Sequence, residues 1–572
     1  MSKEEASDKT SADCNVPDTQ LNRTLTDLNI NYEKQTEASS KDAPADFETA
    51  MNMAGFGTFN ILLLISALPA VIAAQFETAT ISYILPSAAC DLKLSLIDKG
   101  LLNAIIYVGM ITSAILWGYV ADTKGRKKLL ISGYLTNIIS ILGAACSQNV
   151  IQLMVFKFIS GFIMCGPFAV LMSYLSELHG KKYRSRIVML LGLMFSLGNI
   201  LLPVVALGVL PSHWDFQILG LQFHSWQIFL ALSTIPCLLG GALLSFFPES
   251  PKFLMSQGRN AEALRIFQRI YAMNNRKPRE DYPIKELINE QSSSEKTSDD
   301  ASTVSIATIE ESIPKEKETV KPKLPIKEKK PKLSLRQGLQ QLRPLLRKPY
   351  LGLSLQVYLI NFAILLGQNT LRLWMPQMFA SIEEYEQRHG TEDATMCTIL
   401  EYSVNKTQSQ ITQSAINKCE VIITAASYTN NITVAITSCV GYLLAGFVIN
   451  RIGSKMLLAI CSIIAGLCAI GLYFSISALS TLIIISISVS VGSISAMSVI
   501  SSSVDLFPTS LRTMIVSLAM MFGRIGSILG NILFPIFMSL GCIPPFIMLA
   551  FVMFSAGIMS AFLPSTRKTV LK

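Results

Sequence analysis

Twelve long apolar stretches divide this chain of 572 residues, and no other feature of the sequence limits its fold as strongly. An α-helix needs about 20 apolar residues to cross the hydrocarbon core of a bilayer. Lipid offers the backbone no hydrogen-bond partners, so helices are the expected form. The composition agrees, with 51% hydrophobic and 15% charged residues. We therefore predict an all-α membrane protein with twelve spans, near residues 58–86, 100–121, 128–146, 150–176, 186–208, 226–247, 350–378, 427–449, 456–476, 479–505, 513–538 and 543–563.

Two motifs recur at one fixed offset of 328 residues, which indicates an internal duplication. The turn between spans two and three contains Gly118, Asp122, Gly125, Arg126 and Lys127, and its second copy contains Gly446, Asn450 and Gly453. The same offset relates an acidic and a basic residue after span four to an equivalent pair after span ten. Glu177 corresponds to Asp505, and Arg184 corresponds to Arg512. We predict two halves of six spans each.

The pattern G-x-x-x-D-x-x-G-R-[KR] of the first turn resembles the signature loop of the major facilitator superfamily. The element Pro248-Glu-Ser-Pro-Lys-Phe-Leu254 after span six resembles one shared by its sugar porters, organic ion transporters and synaptic vesicle glycoproteins, and the lead-in 46–60 resembles that of the vesicle glycoprotein 2 branch. The resemblance covers about residues 46–565. It implies two pseudo-symmetric six-helix bundles with a substrate site near the midplane, opened alternately to the two sides by rocking.

Positive charge orients the predicted helices, because Lys and Arg beside the spans crowd the loops that a cytosolic start places in the cytosol. Both termini are then cytosolic, in either the plasma membrane or an intracellular vesicle membrane. The first fifty residues are polar and contain no apolar signal segment, so we predict a disordered tail. The predicted organisation is a tail 1–50, a first bundle 51–254, a cytosolic linker 255–345, a second bundle 346–565 and a short tail 566–572.

Several functional classes are disfavoured by what the sequence lacks. Despite a formal charge of +9, the basic residues cluster in loops beside spans rather than among aromatic residues, so no nucleic acid is expected as a partner. The eleven cysteines form no metal-ligand spacing, and no nucleotide-binding loop is present. We predict a protein that is not an enzyme and uses no cofactor or metal. A channel is disfavoured, since no filter-like repeat occurs.

A polar segment of about fifty residues, 380–428, follows span seven, and the predicted topology places it outside the cytosol. Asn405-Lys-Thr is a glycosylation acceptor there, whereas Asn431 of Asn-Ile-Thr is close to the membrane. Cys397 and Cys419 share this oxidising side and are predicted as a disulfide pair, with two free thiols on a loop without function as the alternative.

Ionisable residues inside apolar spans are costly, so each is a functional candidate. Glu77 lies in span one and Lys157 in span four. In the superfamily these helices face each other, and a carboxylate paired with a cation there resembles the proton-coupling arrangement of sugar porters. A carboxylate beside a cation has a lowered pKa, so separation of the pair would allow proton uptake. The alternative is a structural ion pair that only satisfies both charges.

Span seven, which lines the cavity in this superfamily, carries four further polar candidates for hydrogen bonds to a small solute. They are Asn361, Gln368, Asn369 and Arg372. Arg524 in span eleven either neutralises an anionic substrate or pairs structurally, and we favour the structural role.

The signature-loop and helix-end residues are predicted to form the gate. Asp122 ends a helix, opposes the helix dipole, and needs a cation or the N-terminus of another helix. Asn450 and Ser454 replace the Asp and Arg expected in the second loop, so the second latch should be weaker.

Two functions follow from the resemblance. The first is transport of a small organic solute, driven by a gradient or facilitative, with a proton as the candidate coupling ion. The second, typical of vesicle glycoproteins, is a binding or trafficking role with vesicle proteins as partners.

Overall fold

The structure is a computed structural model that describes residues 44–212, 214–218, 220–288, 345, 347–390, 395–412, 424–507 and 511–564. Residues 1–43 of the predicted N-terminal tail, the C-terminal tail, most of the linker and Cys419 lie outside these residues, whereas residues 47–50 of the predicted tail belong to the helix Phe47–Ala54. The described chain divides into two compact units, a small one from the regions 1–59 and 251–305 and a large one from 60–250 and 306–572.

Within the described residues, twelve helices are long and apolar enough to cross a membrane, which confirms the predicted number. Spans 1 to 6 are Thr58–Ala88, Leu96–Lys124, Arg126–Ala145, Val150–Glu177, Lys181–Val209 and the consecutive helices Ser225–Leu232 and Thr234–Ser245. Spans 7 to 12 are Leu351–His389, Ala425–Ile452, Ser454–Tyr473, Ala478–Leu506, Arg512–Ser539 and Ile543–Ala561. The break in span 6 falls at Ser233, three residues before Pro236, which lacks the amide hydrogen that a continuous helix needs.

The helix bounds repeat the offset found in the sequence. Adding 328 to the first and last residue numbers of span 3 gives those of span 9. Adding 328 to the first residue number of span 4 gives that of span 10. The linking glycines also agree, because Gly125 has φ 94° and Gly453 has φ 85°. Such angles favour glycine, so each loop needs this residue to turn directly from one helix into the next.

The offset ends after span 5, where the halves differ. In the first half a two-stranded antiparallel hairpin, β1 (Asp215–Ile218) and β2 (Leu221–His224), leads into span 6. In the second half only residues 540–542 separate span 11 from span 12. These loop differences leave the bundles pseudo-symmetric rather than identical.

The segment after span 7 forms a helix, Met396–Thr412, that packs on the second bundle. Met396, Ile399 and Leu400 are buried in one cluster with residues of spans 7 to 12. Cys397 forms its disulfide with Cys542, at the start of span 12, so the predicted pairing with Cys419 is wrong. The sequence pointed to the wrong partner because Cys542, 145 residues away, lies next to a span and resembled the cysteines inside the spans. Cys90 is also disulfide-bonded.

The small unit joins the lead-in helix Phe47–Ala54 to the amphipathic helix Asn260–Asn275. The rings of Phe47 and Phe267 lie 6.0 Å apart, and Ala263 and Ile270 are buried on the same face. A hydrogen bond from the Tyr282 hydroxyl to the Ala50 carbonyl, at 2.7 Å, adds to this contact. The apolar face of the helix Asn260–Asn275 is therefore covered by protein.

Candidate functional site

The first bundle encloses a buried ion pair between Glu77 of span 1 and Lys157 of span 4. Both side chains are about 1% exposed, and the Lys157 ammonium contacts one carboxylate oxygen of Glu77. Asn137 of span 3 donates a hydrogen bond of 3.1 Å to the other oxygen and accepts one of 2.7 Å from Ser160. A buried pair is tolerated only when its remaining hydrogen-bonding capacity is satisfied. Each carboxylate oxygen of Glu77 therefore has a partner, and the network joins spans 1, 3 and 4 around the pair.

Spans 7 and 11 are joined by polar contacts at a constant spacing. The Asn361 amide donates to the Ala519 carbonyl at 2.5 Å, and the Asn369 amide donates to the Ser527 hydroxyl at 2.7 Å. Both contacts join residues 158 apart, so the two helices run parallel in fixed register. These two predicted site residues therefore hold the bundle together in this conformation.

Gln368 and Arg372 lie one helical turn apart on another face of span 7. Gln368 donates to the Ser493 hydroxyl of span 10 at 2.6 Å. Leu373, the neighbour of Arg372, is buried with residues of the first bundle, and Gln377 contacts Lys99 of span 2. This part of span 7 therefore lies at the boundary between the two bundles.

Arg524 of span 11 also reaches across this boundary. One of its terminal nitrogens lies 3.3 Å from the Cys165 sulfur of span 4, in the other bundle. Among the described residues no carboxylate lies within ion-pair distance of Arg524 or of Arg372. The structural ion pair favoured for Arg524 from the sequence is therefore absent from the described part of the chain.

The two bundles are in contact at the end of the spans that carries the helix Met396–Thr412, here called the loop end. Lys99 at the start of span 2 donates to Gln377 of span 7 at 3.4 Å. Gly100 lies against the Asn531 backbone and the Pro535 ring of span 11. Leu373 and Tyr428 of the second bundle are buried in one cluster with residues of the first. The loop end is closed.

The opposite end carries the loops around Gly125 and Gly453 and is here called the signature end. Gly118 of span 2 lies near this end, and a side chain there would meet no described atom within 4 Å. Among the described residues, the bundles are therefore in close contact at the loop end, whereas Gly118 has open space beside it.

At the signature end, the first bundle holds its loop through two carboxylates. Glu249 accepts hydrogen bonds of 2.9 Å from the backbone amides of Arg126 and Lys127, which are the first residues of span 3. A carboxylate at a helix N-terminus is favourable because it meets free amides and the positive end of the dipole. Glu177 forms an ion pair of 3.4 Å with Arg126 and accepts a hydrogen bond of 2.5 Å from Ser250.

The remaining predicted gate residues are held by backbone groups or lie outside the described side chains. Arg184 donates to the Ser176 carbonyl at 3.0 Å, and Arg512 donates to the Phe507 carbonyl at 3.0 Å. Burial lowers the pKa of His179, which lies between Glu177 and Arg184 outside the spans. The side chains of Asp122, Asn450 and Asp505 are not among those described.

Sequence reasoning missed several residues of this arrangement. Asn137 and Ser160 complete the buried network, yet a lone Asn or Ser in a span gave no signal that set it apart. Glu249 had been read only as part of the Pro-Glu-Ser-Pro element that ends span 6. Tyr83 and Tyr428 at the bundle boundary were not candidates from the sequence. Candidates inside spans were selected by charge or by a strongly polar group, and a tyrosine has an uncharged, largely apolar side chain.

Comparisons with known proteins agree with this architecture. The family model described as "Sugar (and other) transporter" matches residues 32–314, and the model described as "Major Facilitator Superfamily" matches residues 420–572. Among solved structures, a D-xylose-proton symporter is similar over 90% of this chain and 100% of its own, with a TM-score of 0.59 and 16% identity. The xylose transporter XylE from E. coli, in a partially occluded inward open conformation, covers 89% of this chain and 100% of its own, with a TM-score of 0.59 and 15% identity. At such identities the similarity shows the fold.

Curated relatives include synaptic vesicle glycoproteins. The human synaptic vesicle glycoprotein 2B is 31% identical over 232 residues, which are 40% of this chain and 34% of that protein. The mouse synaptic vesicle glycoprotein 2C is 29% identical over 246 residues, 43% of this chain and 34% of that protein. The matched region therefore spans about a third of the length of these relatives.

Proposed function

We propose that this chain, which belongs to the major facilitator superfamily of membrane transporters, carries a small organic solute across a membrane by alternating access. The solute would bind at the boundary of the bundles, beside Gln368, Arg372 and Arg524. The observation that carries the proposal is an asymmetry among the described residues: the bundles are in close contact at the loop end, whereas Gly118 at the signature end has open space beside it. A transporter of this fold needs such a state and its opposite.

The contacts across the closed end support a cycle in which they break and re-form. Lys99 and Gln377 make one polar contact of 3.4 Å, whereas the contacts inside the first bundle include an ion pair and hydrogen bonds of 2.5 to 3.1 Å. Weak contacts between bundles and strong ones within them favour rigid-body rocking over internal rearrangement.

Proton coupling through Glu77 and Lys157 forms the finer part of this proposal. Proton binding to Glu77 would require the Lys157 ammonium to move away from it inside the first bundle, a local step in addition to the rigid-body rocking. Uptake of a solute panel into vesicles reconstituted with the full chain, with and without an imposed proton gradient, tests both parts. Uptake that depends on the chain supports transport, and acceleration by the gradient supports coupling. If every solute of the panel enters vesicles with the protein no faster than vesicles without it, the proposal is contradicted.

The orientation of the chain is part of the same proposal, with the loop end outside the cytosol and both termini inside. We predict that Asn405 is glycosylated, because it is exposed on the helix Met396–Thr412 and starts an Asn-Lys-Thr acceptor. Enzymatic removal of N-linked glycans should lower the apparent mass of the wild type, and Asn405→Gln should abolish this shift.

Asn431→Gln is the matched control for that experiment. Asn431 is fully buried in span 8, and its amide donates to the Ser427 carbonyl at 2.7 Å, so its side chain cannot receive a glycan. The control variant should keep the mass shift of the wild type. An unglycosylated wild-type chain, made in cells that glycosylate a standard secreted protein, would place the loop end in the cytosol and reverse the proposed orientation.

The alternative function, a binding or trafficking partner of vesicle proteins, is favoured by one observation. The helix Met396–Thr412 is fixed to the second bundle by the Cys397–Cys542 disulfide and presents an ordered surface at the loop end. If this role is the main one, deletion of residues 380–428 or of 1–45 should abolish function, while neutral substitutions at Glu77 and Lys157 should leave it unchanged. A transporter gives the opposite result for the substitutions.

A further inference from the structure

The charges deep inside the spans do not balance. Four ionisable residues lie far from the span ends, namely Glu77, Lys157, Arg372 and Arg524. Glu77 and Lys157 neutralise each other. Arg372 and Arg524 remain as two cations with no described carboxylate in contact. Because arginine stays protonated in proteins, neither can remove its charge by losing a proton.

Arg372 is only partly satisfied by the protein. Its Nε atom is buried and has no described hydrogen-bond partner. A buried guanidinium nitrogen without an acceptor costs free energy, and an acceptor supplied by a bound solute would remove that cost. Its neighbour Leu373 is buried with residues of the first bundle, so this part of span 7 lies at the boundary between the bundles.

Two tyrosine hydroxyls of the loop-end cluster also lack a described partner. The Tyr428 hydroxyl of span 8 and the Tyr107 hydroxyl of span 2 are buried, and both rings belong to the cluster that contains Leu373, the neighbour of Arg372. A hydroxyl can donate or accept, whereas a guanidinium only donates, so an acceptor-rich group would satisfy either kind of donor.

Arg524 stands nearer the signature end. The constant spacing of 158 between spans 7 and 11 places Arg524 level with Leu366, six residues from Arg372. At 1.5 Å rise per residue, the two arginines are about 9 Å apart along the helices. A solute that enters from the signature end would meet Arg524 first and Arg372 afterwards.

We infer that the transported solute is an organic anion whose oxyanion group binds Arg372. Arg524 draws the anion inward from the signature end. A guanidinium holds a carboxylate through two parallel hydrogen bonds, which explains why arginine rather than lysine stands at these positions. This inference rests on the proposed function, and it specifies the charge of the solute that the same boundary accepts.

The test uses the full chain, purified in detergent, with acetate, benzoate and succinate as carboxylate probes. Benzamide and D-xylose serve as neutral probes, and inorganic phosphate as a free anion. We expect at least one carboxylate to raise the thermal midpoint, and to enter reconstituted vesicles, more than the neutral probes do. Arg372→Gln and Arg524→Gln should each weaken carboxylate binding by about tenfold to a hundredfold, as expected for the loss of a charge-assisted hydrogen bond. Lys277→Gln, an exposed residue of the small unit, removes the same charge and should change nothing.

Arg372→Lys and Arg524→Lys are the controls for misfolding of the Gln variants. They keep the positive charge and remove only the planar set of guanidinium donors. We expect each to retain part of the carboxylate binding. Carboxylate stabilisation without uptake would support the anion site while contradicting transport. Uptake of xylose or benzamide without any carboxylate effect would support transport and overturn the anion inference. Three other results would also overturn the anion inference. The first is equal carboxylate binding by the wild type and both Gln variants. The second is a thermal midpoint raised by phosphate alone, and the third is no effect of any of the three carboxylates on the thermal midpoint or on uptake.

Discussion

Lys157→Met should destabilise the first bundle more than any other single truncation in the spans. The substitution leaves the Glu77 carboxylate about 1% exposed and without its cation, while Asn137 supplies only one hydrogen bond. Breaking a buried ion pair by removing one partner costs about 3–5 kcal/mol. We expect a lower folded yield and a lower thermal midpoint for the detergent-purified full chain. The measurement compares this variant with Lys277→Met, in which an exposed lysine of the small unit is replaced.

The double variant Glu77→Gln/Lys157→Met separates charge from packing. It removes both charges and keeps an amide that can still contact Asn137, so we expect most of the lost stability to return. Its uptake then distinguishes the two roles of the pair. A structural pair predicts that the double variant transports with the proton dependence of the wild type, whereas a coupling pair predicts that it folds and loses that dependence. A Lys157→Met variant as stable as the wild type would contradict the burial on which both roles depend.

The fold could be predicted because membrane helices are specified locally. Each span is recognisable from its own length and hydropathy, and the duplication is visible as a shared offset, so neither needed knowledge of distant contacts. The glycines at 125 and 453 are examples, since each motif turn demands a positive φ and shows it in the structure. The offset failed only after span 5, where the β1–β2 hairpin has no counterpart in the second half.

The site could be predicted only in part, because its chemistry depends on which helix faces point at each other. Glu77 and Lys157 could be predicted as a pair because charged residues inside a span are rare. Their hydrogen-bond partner Asn137 could not be predicted, because uncharged polar residues are common there. Asn361 and Asn369 looked like solute ligands, yet in this conformation both bond to span 11. The Cys397–Cys542 disulfide joins segments 145 residues apart, and cysteine spacing cannot reveal such a pairing.

The distribution of polar contacts explains how one chain can be both stable and mobile. Within the first bundle, Glu249, Glu177 and the Glu77 pair are each held by two or more charged or hydrogen-bonded partners. Across the boundary, the described polar contacts are a 3.4 Å contact of Lys99 and a thiol contact of Arg524. The proposed rocking would therefore break few of the described polar contacts, as rigid-body motion requires. In that cycle, the half-buried arginines at the boundary are the groups whose environment should change most.

Gly100→Trp should hold the protein open at its loop end and stop transport. A Cβ atom at residue 100 would lie 2.5 Å from the Asn531 backbone oxygen and 2.8 Å from the Pro535 ring. Backbone atoms of a packed helix cannot move aside as a flexible side chain can, so the closed state loses about 3 kcal/mol. That difference lowers its population about a hundredfold. Solute uptake should fall by a similar factor if closure is needed in every cycle.

Chemical labelling can locate the block in the cycle. Tyr83 is 6% exposed behind the closed loop end, so the thiol introduced by Tyr83→Cys should resist a membrane-impermeant maleimide applied from that side. In the Gly100→Trp background the same thiol should react. Gly118→Trp is the matched control on the same span, because a side chain there meets no described atom within 4 Å in this state. It should leave the thiol shielded, since its ring is free at the signature end and obstructs only the opposite state. If Gly100→Trp left the thiol shielded and uptake unchanged, the contact between spans 2 and 11 would not be the gate, and closure of the loop end would have to depend on other contacts.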